Sequence, residues 1–167
     1  LIFYGNAGTG KTSTAIALAK QLAENDYSII NASKDNSDNY INHYITRLMS
    51  GVSLYGGKRI IILDESDRLT ENAQTSLRKP LEDYGHICSV IFTNNYDHII
   101  EPIKSRCFEF DFNIKQDEKD EFYKILKRRL RTIIKKEKIN ISTKELNEII
   151  NSNSPDIRKM VNQLELY

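Results

Sequence analysis

The feature that most constrains this chain is a glycine-rich octapeptide set directly behind an apolar run. Leu1-Ile2-Phe3-Tyr4 reads as a short buried strand, and Gly5-Asn6-Ala7-Gly8-Thr9-Gly10-Lys11-Thr12 follows at once. Behind it, Ala15, Ile16, Ala19 and Leu22 recur at helical spacing until Asn25-Asp26. A strand, then G-x-x-x-x-G-K-T, then a helix is the P-loop pattern in the context that it requires. The glycines let backbone N–H groups face a phosphate chain without Cβ clashes, and the helix N-terminus adds positive potential. Gly5 through Thr12 therefore form the candidate cradle, with Asn6, Ala7, Gly8, Thr9 and Gly10 between its ends. Lys11 is expected to reach the β- and γ-phosphates, and the Thr12 hydroxyl to ligate Mg²⁺. The competing reading is a glycine-rich turn that carries a lysine.

Two later strand ends support the first reading. Ile60-Ile61-Ile62-Leu63-Asp64-Glu65 fits a Walker B segment, in which a buried strand delivers Asp64 beside the cradle to hold Mg²⁺ through water. Glu65 is then placed to polarise an attacking water. The alternative is an ordinary strand end with an acidic turn. The paired acids argue against a small-molecule kinase, whose acceptor needs no water activator. Val90-Ile91-Phe92-Thr93-Asn94-Asn95 is a strand ending in two amides. Asn94 there can bond a γ-phosphate or the attacking water, or it can belong to a plain amide-rich turn.

Strands are expected at Tyr27–Ile30, Arg59–Leu63, Ile87–Thr93 and Cys107–Phe112, with helices between them. One helix runs through Ile41, Ile45 and Leu48 to Gly51, and residues 31–40 read as a polar loop. Another follows Thr70 as cap through Ala73, Leu77 and Leu81, with Pro80 expected to kink or end it. This alternation predicts an α/β fold, a parallel sheet covered by helices on both faces. After about Asn113 only helical periodicity remains. A helix over about 116–136 shows an apolar face of Phe122, Ile125, Leu126, Ile133 and Ile134. A second has Ser142 and Glu145 in capping-box spacing, with Ile141 and Leu146 placed as a staple. A third is expected to open with Ser154 and then Pro155, burying Ile157, Val161 and Leu164. Residues 1–113 are thus expected to form a nucleotide-binding core and 114–167 a small helical lid.

The chain has 167 residues, with 24 Lys and Arg against 23 Asp and Glu, a formal net charge of +1. That excludes a coat-like basic protein. Short apolar runs argue against a membrane span and abundant apolar residues against disorder. No apolar segment follows a basic start, so no signal peptide is expected. Cys88 and Cys107 lack a C-x-x-C partner, which argues against a disulfide scaffold or a thiolate zinc site and for a reducing interior. His43, His86 and His98 show no metal spacing. The run starts at Leu1 with nothing leading into its first strand, as expected of a fragment cut close to its core. Lys124, Arg128, Arg131, Lys135 and Lys138 fall at 4-3-4-3 spacing, one basic stripe that reads as a solvated lid face or as a phosphate contact.

With these motifs in order, the chain resembles the AAA+ ATPases, and within them the clamp-loader ATPase subunits, namely replication factor C small subunits and their tailed-phage counterparts. Its most specific segment is Ile99-Ile100-Glu101-Pro102-Ile103-Lys104-Ser105-Arg106-Cys107. The stretches from Asp64-Glu65-Ser66-Asp67 through Leu77-Arg78, and Pro155-Asp156-Ile157-Arg158-Lys159, follow the same pattern. The resemblance implies Asn94 as sensor 1, Arg106 as an arginine finger reaching a neighbour's ATP, and Arg158 as sensor 2 acting in cis. It implies ATP and Mg²⁺ as cofactors. Implied partners are other clamp-loader subunits in a ring or spiral, a sliding clamp and primer–template DNA, with no membrane. The implied location is cytoplasmic, in the host if the source is a phage, or nuclear if it is a eukaryote.

The family pattern is broken in places. Asn6-Ala7 stands where Pro-Pro is common, and Pro80 interrupts the helix that bears Arg78 and Lys79. The basic residue that couples DNA contact to the catalytic Glu is expected near 34–36, and the adenine-contacting segment and the collar are expected outside the chain. Competing readings are a Holliday-junction motor, a helicase loader, or a non-hydrolysing structural subunit. Ser105-Arg106-Cys107 argues against the first two, and the full set Lys11, Thr12, Asp64 and Glu65 against the last.

Overall fold

The structure is a computed structural model that describes residues 1–24, 26–33, 41–53, 56–94 and 96–167. Asn94 is described by its backbone alone, and the region expected near 34–36 to carry a coupling cation lies outside the described residues. The chain divides into two compact units, Leu1–Gly5 with Lys11–Asp111, and Asn6–Gly10 with Phe112–Tyr167.

The first unit is built on a five-stranded, all-parallel sheet in the order β2-β3-β4-β1-β5. Its strands are β1 (Ile2–Tyr4), β2 (Tyr27–Asn31), β3 (Arg59–Asp64), β4 (Cys88–Asn94) and β5 (Glu109–Asp111). Strands buried on both faces read as continuous apolar runs, and Ile60, Ile61, Ile62 and Leu63 are all buried. Alternate residues face opposite ways. Ile61 and Leu63 join Ile2, Ile30, Val90 and Phe92 in one cluster, closed by Met49, Ala73, Leu77 and Ile103. Ile60 and Ile62 face the other way. The helix α1 (Lys11–Ala23) lies against the strands and buries Ala15, Ala19 and Ala23. This stripe differs from the expected one. Leu22 is 64% exposed, because it lies about 60° round the helix from the centre of the i, i+4, i+8 row of alanines.

A π-type turn at Ile41–Ile45 runs into α2 (Thr46–Ser50), which Gly51 caps. The segment with Pro80 is two helices, α3 (Glu71–Ser76) and α4 (Arg78–Tyr84). The break falls at Leu77, before the proline and not at it. Pro80 is buried in the first turn of α4, where a backbone N–H has no intrahelical partner to lose. The Thr70 hydroxyl caps α3 by accepting from the Ala73 N–H at 3.1 Å. After β4 a short helix α5 (Glu101–Lys104) leads to β5. The strand expected over 107–112 is only three residues long and exposed throughout, because it forms a sheet edge.

Buried Gln74 is the polar tie within this unit. Its amide donates to Leu69 O at 3.3 Å and His98 O at 2.9 Å, and its Oε1 accepts from Ile100 N at 2.9 Å. The side chain thereby fixes α3 to the segment that carries α5.

The second unit holds α6 (Lys119–Glu137), α7 (Thr143–Asn153) and α8 (Ile157–Leu164) around Leu126, Leu130, Leu146, Ile149, Ile150, Met160 and Leu164. Leu130 is fully buried while Ile125 is half exposed, so the α6 face turns one position from that expected. The capping box of Ser142 and Glu145 forms in both directions, at 3.2 and 2.8 Å. The third helix opens two residues later than expected. Ser154 ends α7, the Ser154–Pro155 bond is cis, and Asp156 is the true N-cap, accepting from Lys159 N at 3.1 Å. Among the described residues no helix is long and apolar enough to cross a membrane.

Replacing Gln74 with Leu keeps the volume but leaves two carbonyls and one N–H unpaired. The expected cost is about 3 kcal/mol, read as a lower midpoint in urea unfolding. A midpoint equal to that of the parent would show that the tie contributes nothing.

Candidate nucleotide site

Parallel strands bring their carboxyl ends to one side of a sheet, where α/β proteins bind ligands. The register aligns Asn31 with Asp64, Asp64 with Thr93, and Tyr4 with both Asn94 and Asp111. The backbone of Asn94 therefore lies beside the strand end that opens the glycine loop.

Three elements converge on one oxygen. Asp64 Oδ1 accepts from Thr12 Oγ1 at 2.9 Å, Thr93 Oγ1 at 2.5 Å and its neighbour Glu65 N at 3.2 Å. Thr12 and Asp64 thus stand as adjacent hard-oxygen groups, the donor chemistry that suits Mg²⁺ shared with phosphate. Lys11 Nζ donates to Gly5 O at 2.8 Å, so the ammonium lies over the start of the loop. Glu65 is exposed and holds φ 52, ψ 40, a left-handed conformation. For a non-glycine residue this costs about 1–3 kcal/mol, and such strain collects at functional sites. It turns the backbone sharply at the end of β3.

The loop residues Asn6–Gly10 cluster with the second unit. The Ile157 N–H donates to Gly8 O at 3.1 Å, and Asn6 N donates to Asn113 Oδ1 at 2.9 Å. Thr9 Oγ1 closes the loop on Asn6 O at 2.9 Å, while Asn6 and Ala7 are exposed. Gly8 sits at φ +73 and Gly10 at φ +96, both in the region that favours glycine. Gly10 faces open space, whereas a Cβ on Gly8 would lie 1.9 Å from Asp156 Oδ1. Arg158, in the first turn of α8, is exposed in the same unit as the loop.

Arg106 stands apart from this group. Its guanidinium bonds Glu82 of α4 through Nε at 2.7 Å and through Nη2, and donates from Nη1 to Pro102 O at 2.7 Å and Ser105 Oγ at 3.3 Å. Thr93, Asp156 and Glu82 are partners that the sequence reading missed. Only Asp156 left a signal there, as a capping residue three before Lys159. Both cysteines are free. Burial pushes the Cys88 thiol up to about 11 and raises that of Cys107, so neither is a thiolate nucleophile at neutral pH.

Residues 1–116 match the ATPase family associated with various cellular activities (AAA). The chain belongs to this family. All the residues above except Asp156, Ile157, Arg158 and Lys159 lie in the matched AAA region. The replication factor C small subunit of Archaeoglobus fulgidus is 39% identical over 99% of the chain. Replication factor C subunit 3 of Saccharomyces cerevisiae is 33% identical over 99%. The chain spans about half the length of these relatives, 52% and 48%. Among solved structures, a Thermotoga maritima RuvB variant gives a TM-score of 0.71 at 16% identity, over 98% of this chain and 52% of that one. A DNA polymerase III gamma subunit-related protein of the same organism gives 0.61 at 18%, over 91% and 56%. Those two likenesses concern the fold, an AAA P-loop sheet with its helices.

Gly8→Ala is expected to force the loop away from Asp156. Affinity for a fluorescent ATP analogue should fall at least tenfold and the melting temperature should drop. Parent-like values for both would mean that the loop tolerates a Cβ there.

Proposed function

We propose that the chain is the ATPase part of a sliding-clamp loader, in which ATP binding and hydrolysis open a clamp and load it at primer–template DNA. The observation that carries the ATPase reading is the Thr12–Asp64 pair at the carboxyl end of β3, on the residue that ends the glycine-rich Gly5–Thr12 segment. The clamp-loader reading draws its support from the relatives named replication factor C subunits and from Ser105-Arg106-Cys107 in register with both Walker motifs. In this reading residues 1–113 serve as the nucleotide-binding core and 114–167 as the lid.

The Gly5–Thr12 segment binds the phosphates through backbone N–H groups, and Lys11 exchanges Gly5 O for phosphate oxygens. Thr12 and Asp64 would hold Mg²⁺, which would supply charge neutralisation at the phosphates. Glu65 orients and polarises the attacking water, and Asn94 orients the γ-phosphate. Arg158 meets the γ-phosphate from the lid, in cis. Arg106 serves the ATP of a neighbouring subunit, where a guanidinium stabilises the charge that develops on the γ-oxygens. In the lone subunit Glu82 neutralises that guanidinium, so docking exchanges a carboxylate for phosphate. The partners are other subunits, the clamp and DNA, and the setting is the cytoplasm, or the nucleus in a eukaryote.

ATPase activity of the complete protein with its companion subunits should rise when clamp and primed DNA are added together. No stimulation by the two would reject the clamp-loader reading, and a Glu65→Gln variant as active as the parent would reject the catalytic assignment. The chain alone is expected to hydrolyse ATP poorly. In the assembly Arg106→Ala should lower turnover about a thousandfold while leaving ATP affinity intact. Full turnover by a proven monomer would remove the trans role.

A further inference from the structure

The near-neutral net charge hides a strong asymmetry. Residues 124–136 carry Lys124, Lys127, Arg128, Arg129, Arg131, Lys135 and Lys136 with no acid among them. Removing these seven leaves 17 basic against 23 acidic residues, so the rest of the chain is net −6. All seven lie on α6.

Lys124, Lys127, Arg128, Arg131, Thr132 and Lys135 line an open groove of about 820 Å³ on that helix. From Lys124 to Lys135 it follows the helix for about 16 Å, at 1.5 Å per residue. Lys138, expected to extend the stripe, is the left-handed C-cap of α6 and lies beyond the groove. Lys127 takes its place, with Nζ donating to Asn147 Oδ1 at 2.7 Å. Among the described residues none of the seven cations is in a salt bridge. Among the described residues no ion pair offsets their mutual repulsion, which an incoming polyanion would relieve.

The lining also selects the class of polyanion. A protein partner would be anchored by aromatic or aliphatic side chains at the centre of the patch, and the groove lining has none. A membrane-surface helix needs an apolar face to insert, and that of α6 is spent on Leu126 and Leu130 in the core of its own unit. Single-stranded nucleic acid is held by base stacking on aromatic rings, also missing from this lining. Long cationic side chains with a hydroxyl suit the phosphodiester backbone of a duplex, which needs no base readout.

We propose that the α6 groove is a sequence-independent contact for the phosphate backbone of duplex DNA, separate from the nucleotide site. It rests on the function proposed above only in naming DNA as the duplex at hand. In assembly, such a contact would add the lid to the surfaces that grip DNA.

The test uses the full-length protein and a labelled blunt duplex, without clamp or ATP, followed by fluorescence anisotropy between about 50 and 200 mM salt. The triple variant Arg128→Glu/Arg131→Glu/Lys135→Glu should bind at least tenfold more weakly at the low-salt end. The slope of log affinity against log salt should become shallower by about 2–3, near 0.9 for each phosphate no longer neutralised. Arg128→Lys/Arg131→Lys should keep both values, and melting temperature and ATP affinity should match the parent in both variants. Unchanged affinity and slope in the triple variant would overturn the proposal. So would a parent protein that binds anionic vesicles more tightly than duplex at the same salt. Because neither clamp nor ATP is present, this test can fail while clamp-stimulated hydrolysis survives, and the reverse.

Discussion

The site depends on three donors that share one carboxylate oxygen. Thr12 on α1, Thr93 on β4 and the backbone of Glu65 all bond Asp64 Oδ1. This knot fixes the first turn of the helix behind the glycine loop against two adjacent strands. It can form only because the sheet is parallel and its register sets Asp64 beside Thr93. The Ile60–Leu63 run, buried from both sides, holds that register, since a slip by one residue would swap the faces of every side chain. The core is thus tied to the chemistry: apolar burial sets the register, and the register places the oxygen.

The charges outside the knot are arranged by cis partners. Glu82 occupies Arg106, and Asp156 occupies the space that a side chain on Gly8 would need. Each contact is local to its unit, and each gives a guanidinium or a loop a defined resting arrangement. The seven cations of α6 differ in having no salt bridge among the described residues. A polyanion would supply that partner.

Much of this was legible in the chain itself. Gly-x-x-x-x-Gly-Lys-Thr behind an apolar run, Asp64-Glu65 after four apolar residues, and Ser142 with Glu145 are contiguous patterns whose physics is local. The departures share one cause. Leu22 and Ile125 are apolar and fall near the expected faces, yet Ala23 and Leu130 are buried, because the neighbours of a helix choose its inward stripe. Pro80 attracted the expected break, but the chain turns at Leu77, where α3 and α4 pack. Ser154 resembled a cap because it precedes a proline. Its amide belongs instead to the end of α7, which leaves the capping to Asp156.

Local patterns in the chain set the glycine-rich loop behind the first strand, the acidic strand end, the parallel α/β class and the concentration of charge between 124 and 136. Each of these is a run of neighbouring residues whose spacing and chemistry do not depend on distant contacts. Long-range packing alone makes Thr12 and Thr93 share Asp64, sets Glu82 on Arg106 and places Asp156 behind Gly8. These partners lie from 24 to 148 positions apart. What brings them into contact is the burial of the sheet and of the helical core, which no local pattern encodes.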